Sequence, residues 1–281
     1  MLDVNSPSRP LTLLDKDEVT AGLVDVWRTI DALMADVPED GWQAATALPG
    51  WCVRDVVAHV VGTECMLAGL PTPDVDVSGL DHVRNPIGEV NECWVRHLSA
   101  DAGADVLTRF RDVTAQRRAA LEAMSREEWD APTATPAGQD TYGRFMRIRI
   151  FDCWMHEHDV RDALSLPASA AELDGAASRF ALDEVSVSMG FVVGKRAQAP
   201  DGSRVALVLT GPLARTIRVA VDGRAAVVDD FGGAEPTATI TLDGFAFTRL
   251  CGGRLRGPAD VVYGGDVELG ERVVANLNYV I

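Results

Sequence analysis

The residues best suited to chemistry lie in RIRIFDCWMHEHDVRDAL, residues 147–164. If this segment is helical, Arg149, Asp152, His156 and Asp159 recur every three or four residues and line one face. Ile148, Ile150, Phe151, Trp154 and Met155 flank that polar stripe, so it reads as a lining inside a helical bundle rather than a solvated face. An Asp and a His four residues apart on a helix can both reach one metal ion. The same pair can equally form an Asp to His hydrogen bond or a surface ion pair, and spacing alone does not choose between them. His59, in the run VVAHVV, has apolar neighbours on both sides that turn its ring inward, as a satisfied core histidine or as a further ligand. Two such polar faces on helices that pack together would reinforce each other, because bundle sites are built from facing helices. His158 falls about 160° around the helix from His156 and cannot share its ion. His82 and His97 have no comparable context. Cys153 is rotated about 100° from Asp152 and reads as a small core residue.

The elements that must carry these residues are legible from periodicity. Val19, Leu23, Val26, Trp27, Ile30 and Met34 give a first helix over 16–34. WCVRDVVAHVVGTECMLAGL gives a second over 53–70, with Cys52 at its cap, Asp55 in its first turn, and Pro71 and Pro73 beyond its end. A third helical region covers 88–98 and 101–124, interrupted at SADAGAD, with Arg109, Arg111, Arg117 and Arg118 assigned to a solvated face. APTATPAGQD reads as a loop, and the fourth helix runs over 141–164. After Pro167 the pattern changes. A helix over 169–189, opened by Ser169 and Glu172 at capping-box spacing, leads into strand-like alternation at 204–209, 216–221, 225–228 and 238–242, with helices at 244–250 and 270–278. The expected fold is therefore α+β overall. An all-α four-helix bundle over residues 1–166 precedes a smaller α+β domain with an antiparallel sheet over 167–281.

The chain has 281 residues and a formal net charge of -16, which repels nucleic-acid phosphates and anionic lipid surfaces, so neither is expected as a partner. Five scattered cysteines without a CxxC pair argue against a disulfide framework or a cysteine zinc site. Together with the lack of a basic-then-apolar leader pattern in MLDVNSPSRPLTLLDKDE, they lead us to expect a cytoplasmic protein.

LPGWCVRDVVAHVVGTE and FDCWMHEHDVRDAL together resemble the mycothiol-dependent maleylpyruvate isomerase family, whose N-terminal part is a DinB-like metal-binding bundle. ATITLDGFAFTRLCGGR is similar to the sterol-carrier-like C-terminal domain that accompanies this bundle in many actinobacterial members. The resemblance implies His59, Asp152 and His156 as ligands of a divalent metal, a donor set suited to zinc, with mycothiol as thiol cosubstrate and a small electrophile as substrate. Family members are expected to carry Glu where this chain has the shorter Asp152. HVRNPIGEVNECWV resembles a cavity-lining segment, which makes Arg84, Asn85 and Asn91 catalytic candidates beside Asp159, with Glu92 a further polar member. Arg149 and Arg254 are assigned to the cosubstrate, although Arg215, Arg218, Arg224 and Arg249 also fit the family's substrate-binding Arg. Asp159 could orient His156 or simply pair with an Arg. The implied activity is an S-transferase or a cis–trans isomerase, in a monomer or homodimer. A non-catalytic ligand-binding protein and a metal-dependent hydrolase using water are the alternatives.

Overall fold

A computed structural model describes residues 10–254 and 260–280. Helix α1 (Lys16–Met34) starts where the Asp15 carboxylate accepts from the Glu18 amide, and it buries the Val19, Leu23, Val26, Trp27, Ile30 and Met34 stripe. Helix α2 (Val53–Leu67) is opened by Asp55, whose carboxylate accepts from the Cys52 amide at 2.9 Å and its thiol at 3.1 Å. It ends three residues short of the expected Leu70. Helix α3 (Pro86–Leu98) and helix α4 (Gly103–Ala123) follow, and helix α5 (Tyr142–Leu164) completes the bundle. Helix α5 packs against α1 and α2 on one side and against α6 (Ala176–Val187) on the other, so it is buried around most of its circumference. That explains why its sequence shows no single apolar face.

Several sequence expectations change. APTATPAGQD is not a plain loop: β1 (Pro132–Thr135) and β2 (Gly138–Thr141) form a hairpin turned through Gly138, whose φ of +97° favours glycine. The single helix expected over 169–189 is broken. The Ser169 and Glu172 capping box opens only the turn Ala170–Leu173, and α6 starts afresh after Gly175. Arg117 is buried rather than solvated, at 3% exposure.

The second half holds a five-stranded sheet of β3 (Arg204–Thr210), β4 (Arg215–Asp222), β5 (Arg224–Val228), β6 (Ala238–Asp243) and β7 (Val262–Gly265), in the order β5-β4-β3-β6-β7. The antiparallel expectation holds for three of the four pairings, whereas β3 and β6 run parallel with Leu207 opposite Ile240. The sheet is therefore mixed. Alternation specifies which face a side chain takes but not the direction of its strand, and the return from β5 past β3 sets that direction. Strand β7 had no clear alternation in VYGG. Helix α7 (Gly244–Cys251), capped by Asp243, and helix α8 (Val267–Ala275), capped by Asp266, flank the sheet. The cap at Asp266 starts α8 three residues before the expected Gly270. Among the described residues no helix is long and apolar enough to cross a membrane.

Candidate metal centre

Helices α2 and α5 bring His59, Asp152 and His156 together. One ligand-type atom from each lies within 4.8 Å of the other two. His59 Nε2 is 3.2 Å from Asp152 Oδ2, and His156 Nε2 is 3.5 Å from Asp152 Oδ1. Both histidines are buried, while the Asp152 side chain keeps 32% of its exposure, so the carboxylate stands at the solvent side of the cluster. Two imidazoles and a carboxylate converging in this way could hold one divalent ion and leave a coordination position free for another ligand.

Each of the three side chains is braced differently. Arg149, one turn before Asp152, pairs with its Oδ2 through Nη1 and also donates to Glu64 Oε1 from Nε (3.0 Å) and Nη2 (2.9 Å). Glu64 has no exposure, and it accepts a further bond from Arg117 Nε at 3.1 Å. On the other side of the cluster, His156 Nδ1 lies 3.1 Å from Asp159 Oδ2. Asp159 is itself fully buried and is gripped by two arginines from the second half of the chain. Arg254 donates from Nη2 at 2.8 Å and Nε at 3.1 Å, and Arg249 Nη2 lies 2.9 Å away.

The electrostatics follow from these contacts. Its partial enclosure disfavours charge on Asp152, but Arg149 and the two imidazoles outweigh that and hold the carboxyl well below its ordinary range. Burial lowers the pKa of His59, which has a single carboxylate beside it. His156 feels the same burial, but Asp152 and Asp159 together reverse its effect and raise its pKa. Asp159 is held low, because hydrogen bonds from His156 and Arg254 overcome its desolvation. Burial pushes the Cys153 thiol up to about 12, so it is not a thiolate at neutral pH.

The other expected site residues have diverse surroundings. Asn85 caps α3, its side chain accepting from the Gly88 amide at 2.9 Å. Arg84 is exposed and Asn91 half-buried. Arg149 and Arg254 are engaged by Glu64, Asp152 and Asp159 as described, and Arg249 also reaches Asp162 at 2.6 Å. Arg215 pairs with Asp183. Sequence reasoning missed Arg117, although it falls in step with Phe110, Thr114 and Leu121 on the buried stripe of α4. It also missed Trp51, whose ring centroid is 5.4 Å from that of His59 and 6.3 Å from that of His156. The indole Nε1 donates at 3.0 Å to Glu92, which is buried and also contacts His82 and Arg96.

Comparison with known proteins agrees with this architecture. The family profile described as mycothiol maleylpyruvate isomerase N-terminal domain matches residues 23–161, and the one described as MDMPI C-terminal domain matches residues 179–272. Two uncharacterized proteins of Mycobacterium tuberculosis, from strains CDC 1551 / Oshkosh and ATCC 25618 / H37Rv, are each 27% identical over 148 residues. That match covers 51% of this chain, and the chain spans about half the length of these curated relatives, 55%. The crystal structure of the mycothiol-dependent maleylpyruvate isomerase superimposes with a TM-score of 0.60 at 14% identity, covering 89% of this chain and 93% of that one. A histidine-to-alanine mutant of that isomerase gives 0.59 at the same identity and coverage. At that identity the likeness speaks for the fold, and the two profiles, placed in order along most of the sequence, speak for descent. The chain belongs to the mycothiol maleylpyruvate isomerase family.

Proposed function

We propose that this protein is a mycothiol-dependent metalloenzyme, an S-transferase or cis–trans isomerase acting on a small electrophile, with His59, Asp152 and His156 as ligands of one divalent ion. The observation that carries the reading is the convergence of these three side chains from two helices, with the carboxylate at the solvent side. The donor set suits zinc, and such an ion would supply the positive charge that favours a bound cosubstrate thiol as its thiolate at neutral pH. The chain's own residues prepare for that. Asp159 fixes the His156 ring so that Nε2 faces Asp152, and Arg249 and Arg254 keep Asp159 ionised. Arg149 orients Asp152 from the opposite side. None of the five cysteines occupies a ligand position, and Cys153 is a buried neutral thiol, so the nucleophilic sulfur belongs to the cosubstrate.

Elemental analysis of the wild type and of His59→Ala and His156→Ala tests the metal assignment: about one zinc per chain is expected in the wild type, with loss in both variants. Full occupancy in both would remove the ion from this cluster. Turnover of activated electrophiles and cis-alkene diacids, with and without mycothiol and metal, tests the reaction. Metal-dependent turnover with mycothiol supports the reading, and the products separate transfer from isomerisation. Equal rates without any thiol would point to hydrolysis, and no binding of thiol to a ligand carrier.

A further inference from the structure

The two histidines of the cluster are held by different means. His156 has the arrangement usual for a metal-binding imidazole, with its second ring nitrogen on a carboxylate. His59 does not: its Nδ1 is buried and has no hydrogen-bond partner among the described residues. Its Nε2 faces Asp152, so no second hydrogen bond prevents the ring from rocking about its side-chain torsions. What lies against the ring is Trp51, inclined to it by 38° at 5.4 Å between centroids, while His156 meets it edge-on at 4.8 Å.

Trp51 is itself unusually well fixed for a residue in a turn. Gly50, with φ +82°, turns the chain just before it. The Trp51 amide donates to the Leu48 carbonyl at 3.1 Å, and its carbonyl accepts from the Thr46 amide at 3.2 Å and hydroxyl at 2.8 Å. The indole Nε1 is bound to Glu92, a carboxylate with 2% exposure that is tied in turn to Arg96 (2.8 Å) and His82 (3.2 Å). A buried carboxylate with three polar partners is an anchor of low mobility, since each partner restricts it in a different direction.

We infer that Trp51 is the positioning residue of His59, holding by ring packing the orientation that Asp159 gives His156 by a hydrogen bond, and that Glu92 sets the plane of that indole. The inference rests on the metal reading above for its consequence, but the ring orientation can be measured without any ion. Both residues lie outside the ligand set and contribute through His59.

The test pairs zinc affinity, by competition with a chromophoric chelator, with imidazole nitrogen spectra of zinc-free protein labelled at histidine. Trp51→Ala is expected to weaken zinc binding 10–100-fold, the usual effect of removing the group that orients a metal-binding histidine. Trp51→Phe keeps a ring against His59 and is expected to recover most of that loss. In the zinc-free spectra of Trp51→Ala the His59 signals should shift or broaden well beyond those of His156, whose ring lies farther from the indole at 6.3 Å and is still held by Asp159. Glu92→Gln should move the His59 signals in the same direction by less. If Trp51→Ala does not fold, Trp51→Leu, which fills volume without a flat ring, takes its place. Wild-type zinc affinity and unmoved His59 signals in a folded Trp51 variant would overturn the inference. A wild type that takes up no zinc would instead refute the metal reading, and the His59 spectra would still decide the role of Trp51.

Discussion

Asp159→Asn separates what this carboxylate does for the fold from what it does for the cluster. The side chain has no exposure and sits among His156, Arg249 and Arg254. Removing one partner from a buried ion pair costs about 3–5 kcal/mol, because the remaining charge is left buried. Here the lower end applies, since Arg249 keeps Asp162 and the Met155 carbonyl, and Arg254 keeps the Gly252 carbonyl at 2.6 Å. A loss of about 3 kcal/mol lowers Tm by roughly 6–12 °C in proteins of this size class. Measured in excess chelator, that shift excludes any contribution from metal linkage. The second effect is on affinity. An amide that presents its NH2 to His156 Nδ1 no longer fixes the ring tautomer, so zinc binding should weaken 10–100-fold, about 1.4–2.8 kcal/mol. Calorimetry in chelator and competition titration with zinc measure the two separately. A variant with both the chelator Tm and the zinc affinity of the wild type would refute the role assigned to Asp159 and to its two arginines.

Asp152→Asn should lower resistance to chelators while far-UV circular dichroism stays unchanged, because the amide keeps the shape and loses the charge; an unfolded variant would show that Asp152 is structural. Glu64→Gln leaves Arg117 and Arg149 facing a neutral group in a site without exposure, and urea unfolding should report a loss of about 3–5 kcal/mol; a loss below about 1 kcal/mol would contradict the buried cluster. Asp140 is buried, which alone would raise its pKa, but hydrogen bonds from Arg144, Thr12 and Thr141 hold it at about 2. Its folded pKa is depressed, so its stabilisation of roughly 2 kcal/mol is complete above pH ~4 and is lost as pH falls toward 2. Asp140→Asn should flatten that acid limb in denaturant titrations against pH, and an unchanged limb would refute the assignment.

The sequence carried the helices well because their apolar residues recur with a clear period. Helix α1 appears over the expected residues, and α5 begins one residue later than expected. His59, Asp152 and His156 stood out as candidates because they are polar residues within apolar runs, and the family resemblance joined them into one set. What surrounds them was not. Arg117 was assigned to solvent by its charge, although its position on the α4 stripe pointed inward; the partner that permits its burial, Glu64, is supplied by another helix. The grip of Arg249 and Arg254 on Asp159 joins residues far apart in sequence, and no local pattern encodes such a pairing. The parallel pairing of β3 with β6 was hidden for the same reason.

Helix α5 carries Arg149, Asp152, His156 and Asp159 at a single phase of its turn, and each of the four meets a different neighbour: Glu64, His59, Trp51, and the arginines 249 and 254. The helix therefore acts like a key with four teeth cut at one pitch. A substitution blunts one tooth, but inserting or deleting a single residue between Arg149 and Asp159 turns everything beyond it by about 100° and misaligns several at once. Helix geometry thus makes this stretch far more tolerant of an exchanged side chain than of a change in length.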